Sequence, residues 1–226
     1  MRTGSRIWIT RSQPGADATA ARLLERSFEP VVQSVLRAET LKASTPDLSG
    51  VEALAFTSGA AITAFAALSP RRDLPVFAVG DVTAALARAA GFGKVRSAGG
   101  DASALAALIV AAAERPRVVL HPGALEPAAD LAGLLAMAGI AARAQPVYRT
   151  ITTGLDAAPE AVDAVLVHSP KAARLVAALV GGNKARQMGA YVLSPAVAEP
   201  LRQAGFMTLA VAPHPDEPSL LNLLDD

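Results

Sequence analysis

The chain has 226 residues, 52% of them hydrophobic, with 21 basic and 20 acidic side chains and a formal net charge of +1. That balance, with no basic tract, gives no sign of the multiple phosphate contacts of a nucleic-acid binder, and none is expected. The absence of cysteine excludes disulfides, Cys-based zinc sites, iron–sulfur clusters and thiol catalysis together.

Short β-rich runs alternate along the chain with longer Ala/Leu segments of helical period, as parallel βα units require. Strands are predicted at residues 7–10, 31–36, 53–57, 76–79, 94–97, 118–121, 142–148, 164–168, 191–193 and 208–211. The first apolar run is too short for a secretion signal, and no stretch approaches about 20 uninterrupted apolar residues. A cytoplasmic protein without a membrane span is expected. A helix over 14–27 begins with Pro14 in its first turn, and Asp101 is placed to cap a helix running to Glu114. Ser58 and Ser169 each stand directly after a strand and before a helix, and Gly91 and Gly205 suit the left-handed residue that ends one. Residues 31–41 and 140–153 break the rhythm, because a strand pattern there leads into polar residues without a helix. They read as paired linkers between domains.

The chain is written twice. VEALAFTSGAAITAFAAL from Val51 lines up with VDAVLVHSPKAARLVAAL from Val162, an offset of 111 that also carries Arg6 onto Arg117. VFAVGDVTAALARAAGF, ending at Phe92, resembles AYVLSPAVAEPLRQAGF, ending at Phe206, at an offset of 114. A unit this long is too large for a solenoid repeat and reads as two related domains with a cleft between them.

In open parallel sheets, ligands bind beyond the carboxyl ends of the strands. The residues there are small and hydroxylic: Thr10-Arg11-Ser12, Thr57-Ser58-Gly59, Gly80-Asp81, Gly99-Gly100-Asp101, His121-Pro122-Gly123, His168-Ser169 and Ser194-Pro195. Each loop taken alone is explained by helix capping. Their placement on both halves points to a binding site for an anion, held by N–H groups at the positive ends of helices. His121, His168 and His214 follow strands but lack HxxxH or HxxE spacing, so no metal is expected. No GxGxxG, GxxxxGK[ST] or GxSxG occurs, and no cofactor is expected. Tyr148, one of two tyrosines, ends a boundary strand in PVYRT. It reads either as a linker tyrosine packed against a helix or as a general acid, since a phenol donates a proton while neutral near pH 7.

These segments, in this order, resemble uroporphyrinogen-III synthase over nearly the whole chain. IWITRSQPGADATAARL resembles that family's opening strand, turn and helix, LAFTSGAAITAF its FTS-plus-helix signature, FAVGDVTAALARAAGF its VG-x-x-TA segment, and PVYRT its VYRT. The resemblance implies a cyclising lyase that converts hydroxymethylbilane, a linear tetrapyrrole with eight carboxylates, into uroporphyrinogen III with loss of water and inversion of ring D, without a cofactor. It implies two flavodoxin-like α/β domains, 1–38 with 152–226 and 39–151, joined by a two-stranded hinge with a cleft between them, in a monomer. It also implies roles: Tyr148 assists hydroxyl departure, and Arg11, Thr57, Ser58, Gly80, His168, Ser169 and Ser194 bind substrate, to which Lys171 is added for its charge. The chain departs from the family at Gly59-Ala60-Ala61, where an Asn is usual, and at His121-Pro122-Gly123 and Ser194-Pro195-Ala196-Val197; Lys171 offers positive charge without a strict family counterpart. The alternative is a two-domain binding protein for an anionic small molecule, without catalysis.

Overall fold

The computed structural model describes residues 1–225. One sheet is formed by β1 (Arg6–Ile9), β2 (Glu29–Val32), β9 (Ala164–Val167), β10 (Gly189–Val192) and β11 (Leu209–Val211), in the order β11-β10-β9-β1-β2 with every neighbour parallel. The other is formed by β3 (Leu36–Thr40), β4 (Ala53–Phe56), β5 (Val76–Ala78), β6 (Val95–Ser97), β7 (Val118–Ala124) and β8 (Ala141–Thr152), in the order β3-β8-β7-β4-β5-β6. Two compact units result: Met1–Arg37 with Ile151–Asp226, called unit 1, and Ala38–Thr150, called unit 2.

The repeat is visible in both. Unit 1 carries α1 (Gly15–Glu25), α6 (Pro170–Leu179), α7 (Asn183–Gln187), α8 (Pro195–Gln203) and α9 (Glu217–Asn222). Unit 2 carries α2 (Gly59–Leu68), α3 (Asp81–Ala89), α4 (Ala102–Val110) and α5 (Leu131–Met137). The offset of 111 lays β4 and α2 residue for residue on β9 and α6, and the offset of 114 lays α3 and β6 on α8 and β11. Under that mapping β11-β10-β9-β1-β2 and β6-β5-β4-β7-β8 are the same order, the doubly wound 2-1-3-4-5 arrangement. Even a strand-end contact recurs. The Arg6 N–H donates to Asp163 at 2.7 Å, and the Arg117 N–H to Glu52 at 2.7 Å. Each sheet therefore combines strands from both halves of the chain.

Strands buried on both faces read as continuous apolar runs, because successive side chains point to opposite sides. In unit 1, Trp8, Val165, Val167, Ala190 and Val192 pack against α6 and α8, while Ile7, Ile9, Ala164 and Leu166 pack against α1 and α9. In unit 2, Leu54, Phe56, Val76 and Leu120 meet α2 and α3, while Ala53, Ala55, Phe77 and Val119 meet α4 and α5. Phe56, Phe65 and Phe92 form an aromatic cluster with centroids 5.8–6.2 Å apart. Gly91 and Gly205 follow α3 and α8 with φ of +95° and +90°, a conformation that disfavours a side chain. Ser58 and Ser169 accept the N–H groups of Ala61 and Ala172, each at 3.2 Å, and so cap α2 and α6. Ser169→Ala is expected to lower stability by about 1 kcal/mol, read as a shift in urea midpoint.

Several element boundaries differ from the sequence reading, β8 among them, which runs on to Thr152 beyond the strand expected over 142–148. The single strand over 31–36 is the end of β2 and the start of β3, separated at Gln33-Ser34-Val35. Carbonyls there leave the strand ladder to accept from the Trp8 indole at 2.7 Å, the Thr153 hydroxyl at 2.8 Å and the Thr153 N–H at 3.1 Å. His121-Pro122-Gly123 is not a loop but lies inside β7. Pro122 is tolerated because β4 pairs only as far as Leu120, so on that side no ladder bond is lost for want of an N–H. The helix capped by Asp101 ends at Val110 rather than Glu114.

Candidate functional site

In unit 2, Thr57 and Ser58 follow the carboxyl end of β4, where the chain turns into α2. The Ser58 hydroxyl, already bonded to the start of α2, lies 3.1 Å from the Tyr148 hydroxyl. Tyr148 stands on β8, half-buried, its ring packed against the cluster around Phe56 and Phe65. A register shift between Gly123 and Ala124 moves β7's partner from Pro146 to Tyr148 and leaves Val147 in the core. The result is a pair of hydroxyls at a strand end. Either oxygen can donate, so the pair can release a proton and accept one back.

Beside it, the Thr57 hydroxyl lies 3.1 Å from Nε2 of His121, which is 4% exposed. Burial pushes the imidazole below its ordinary range, and the charge of Asp130 opposes that shift only in part. The ring is therefore neutral near pH 7. Gly80 directly precedes α3, and its carbonyl accepts the Ala84 N–H at 2.9 Å.

In unit 1 the centre is Glu217, the first residue of α9, with a side chain 12% exposed. Arg11 donates to its Oε2 at 2.6 Å, His168 Nε2 lies 3.0 Å from the same oxygen, Thr19 donates to Oε1, and Arg22 stands 3.8 Å away. Burial pushes the carboxyl up, but the His168 hydrogen bond and the Arg11 charge prevail and hold it at about 2. Gly15 makes room for this arrangement, since a Cβ there would meet the Arg11 Nε at 2.5 Å. Arg11 does grip a carboxylate, as its type indicates, but the carboxylate is the protein's own. His168 Nδ1 is buried without a partner among the described residues. Ser169 caps α6, Lys171 is the second residue of that helix, and Ser194 precedes α8 with a carbonyl that accepts from Val197 and Ala198 at 3.0 and 3.1 Å.

The structure thus joins Ser58 to Tyr148 in unit 2, and Arg11 to His168 through Glu217 in unit 1. Sequence reasoning misses Glu217, Thr19 and the burial of His121. Glu217 has only Ala102 as its counterpart by helix position, so the repeat gives no signal for it. Among the described residues no group of His, Cys, Asp and Glu is arranged to hold a metal ion, and no helix is long and apolar enough to cross a membrane.

The solved structure of uroporphyrinogen-III synthetase from Helicobacter pylori 26695 is similar over 98% of both chains, with a TM-score of 0.65 at 16% identity. A mutant uroporphyrinogen III synthase from the extremely thermophilic bacterium Thermus thermophilus is similar over 98% of both chains, with a TM-score of 0.50 at 17% identity. At such identities these likenesses establish a mixed α/β fold with parallel sheets. No curated protein sequence matches the chain. The family model described as Uroporphyrinogen-III synthase HemD matches residues 17–222, which takes in most of both units. The chain belongs to the uroporphyrinogen-III synthase family.

Proposed function

We infer that the chain catalyses the reaction of its family, the cyclisation of hydroxymethylbilane to uroporphyrinogen III with loss of water and inversion of ring D, a step of heme biosynthesis. The observation that carries this is the family match across residues 17–222. The bilane's terminal hydroxyl leaves as water and gives an azafulvene-type cation. The last pyrrole attacks at its substituted carbon, and the spiro intermediate opens and recloses with ring D inverted.

The finer reading assigns residues. The Tyr148 hydroxyl, held by Ser58, gives its proton to the departing hydroxyl and recovers one when the closing pyrrole regains aromaticity. The N-terminal ends of α2, α3, α6 and α8, with Ser58, Gly80, Ser169, Lys171 and Ser194, hold the carboxylates of the substrate. Arg11 and His168 contribute through Glu217, by fixing the start of α9. The two units are domains joined by the paired strands β3 and β8, which act as a hinge for closure on the bilane in a monomer. Catalysis then rests on orientation, because the demanding step is attack at the more crowded carbon.

Purified protein supplied with hydroxymethylbilane should yield isomer III in place of the isomer I that forms unaided, resolved by chromatography of the oxidised porphyrins. Unchanged isomer proportions would overturn the assignment.

A further inference from the structure

The repeat separates what a residue does for the shared scaffold from what one unit adds to it. At the amino ends of β4 and β7, Arg117 donates to Glu52 from its N–H at 2.7 Å and from its guanidinium at 3.0 and 3.1 Å. The same N–H contact recurs in unit 1 between Arg6 and Asp163, so this pair belongs to the scaffold. Around it unit 2 carries charges that unit 1 lacks. The offset of 114 sets Lys94 on Thr208 and Arg96 on Ala210, and the offset of 111 sets Glu114 on Thr3 and Arg115 on Gly4.

All four of these added residues line one cavity of about 680 Å³, at the amino ends of β4, β5 and β6 and so at the end of the sheet opposite Ser58. Its volume is that of a small-molecule site. Because α4 stops at Val110, Ala112, Glu114 and Arg115 lie on the connection to β7 and form one wall, while the edge strand β6 and the residue before it supply Arg96 and Lys94. Register sets Arg96 beside Phe77, and its guanidinium lies over that ring, 5.7 Å from the centroid. Ala53 and Val76 extend the apolar surface. The charges are not matched within the cavity. Glu52 is taken by Arg117, and Arg115 donates to the Ala138 carbonyl. Among the described residues the side chains of Lys94 and Glu114 have no hydrogen-bond or ion-pair partner. Three cations therefore line the cavity, and Glu114 is the one lining acid not held by an arginine.

We propose that this cavity is a second binding site, distinct from the Ser58–Tyr148 end of unit 2, for an amphipathic organic anion whose apolar body covers Ala53, Val76 and Phe77 and whose oxyanion meets Lys94 and Arg96. Both halves of that chemistry are needed. A purely apolar ligand would leave the cations unmatched, and an inorganic anion would leave the apolar surface uncovered. Lys94 has no protein partner to give up, and Arg96 is already held over Phe77, so little ordering is required on binding. The inference stands on unit 2 alone and goes beyond the synthase reading.

The probe is 8-anilinonaphthalene-1-sulfonate, an aromatic anion whose fluorescence rises in apolar surroundings, titrated against the full chain at low ionic strength. One equivalent should bind with a Kd on the order of 10–100 μM. Lys94→Ala and Arg96→Ala should each weaken it about threefold and together about tenfold, and Glu114→Gln should tighten it about threefold. All three positions are exposed, so the variants should fold as the wild type does. N-phenyl-1-naphthylamine, the same body without the sulfonate, should bind more weakly and respond to none of the substitutions. An affinity for the sulfonate unchanged across these variants, or no saturable binding, overturns the proposal. A double variant that forms isomer III more than about twofold slower also overturns it, because the cations would then serve the substrate site. A wild type that makes no isomer III fails the synthase reading and leaves the titration to decide alone.

Discussion

Tyr148→Phe is expected to lower kcat for isomer III formation by roughly 10–100-fold, at or below the low end of what a positioned general acid contributes. The modest size follows from the chemistry. An electron-rich pyrrole expels its hydroxymethyl oxygen readily, so the phenol is asked for only part of the barrier. The substitution removes one oxygen and leaves the ring against Phe56 and Phe65, and Ser58 keeps its bond to the Ala61 N–H. Thermal unfolding should therefore change by no more than a lost half-exposed hydrogen bond, about 1 kcal/mol. A loss of kcat with an intact melt locates the proton donor. Wild-type turnover in the Phe variant would remove Tyr148 from that role.

Glu217→Ala is expected to destabilise unit 1 strongly, by about 3 kcal/mol. Glu217 accepts from Arg11 and Thr19, sits beside His168 and lies near Arg22, so its loss leaves two cations and two polar groups without their common partner. The same interaction fixes a pH dependence. The carboxyl has an ordinary value of 4.5 and is held at about 2 in the fold, so the folded state binds fewer protons than the unfolded one between those values. Its contribution is fully present above pH 4.5 and is lost as pH falls toward 2, amounting to about 3 kcal/mol at full strength. Urea unfolding of the wild type between pH 5 and 3 should show declining stability. Glu217→Gln, with no charge to lose, should start lower and decline less steeply. Parallel slopes for the two proteins would mean that Glu217 is not the titrating group.

Much of the fold is legible because local signals and the repeat agree. Ser58 and Ser169 sit at equivalent points of VEALAFTSG and VDAVLVHSP, and both cap the helix that follows. The element mapping built on them reproduces the strand order of both sheets. What escapes the sequence depends on partners that are remote along the chain. Pro122-Gly123 carries the composition of a turn, and only the early end of β4's pairing permits a strand there. The break at Gln33-Ser34-Val35 depends on Trp8 and Thr153, neither of them neighbours in sequence. At the candidate site, Tyr148 and Ser58 each stand out by their segments, whereas their meeting depends on the register shift at Gly123 and Ala124 that sets where Tyr148 falls. Glu217 reads as an ordinary acid at the start of a helix, and its significance comes entirely from Arg11, Thr19 and His168.

The sharing of strands between the two halves also sets an order of events on the ribosome. Unit 2 is one unbroken stretch, Ala38–Thr150, and every strand of its sheet except part of the β3 and β8 edge pair emerges within it. β1 is made shortly before its neighbour β2, but its other neighbour is β9, which is translated only after the whole of unit 2. Until then the RIWI strand, with Ile7, Trp8 and Ile9, which are wholly buried in the finished protein, keeps the N–H and C=O groups of one edge unpaired beside apolar side chains. β1 is thus enclosed only after the whole of unit 2 has been made, and the growing chain's exposure to misassembly lies along that waiting edge.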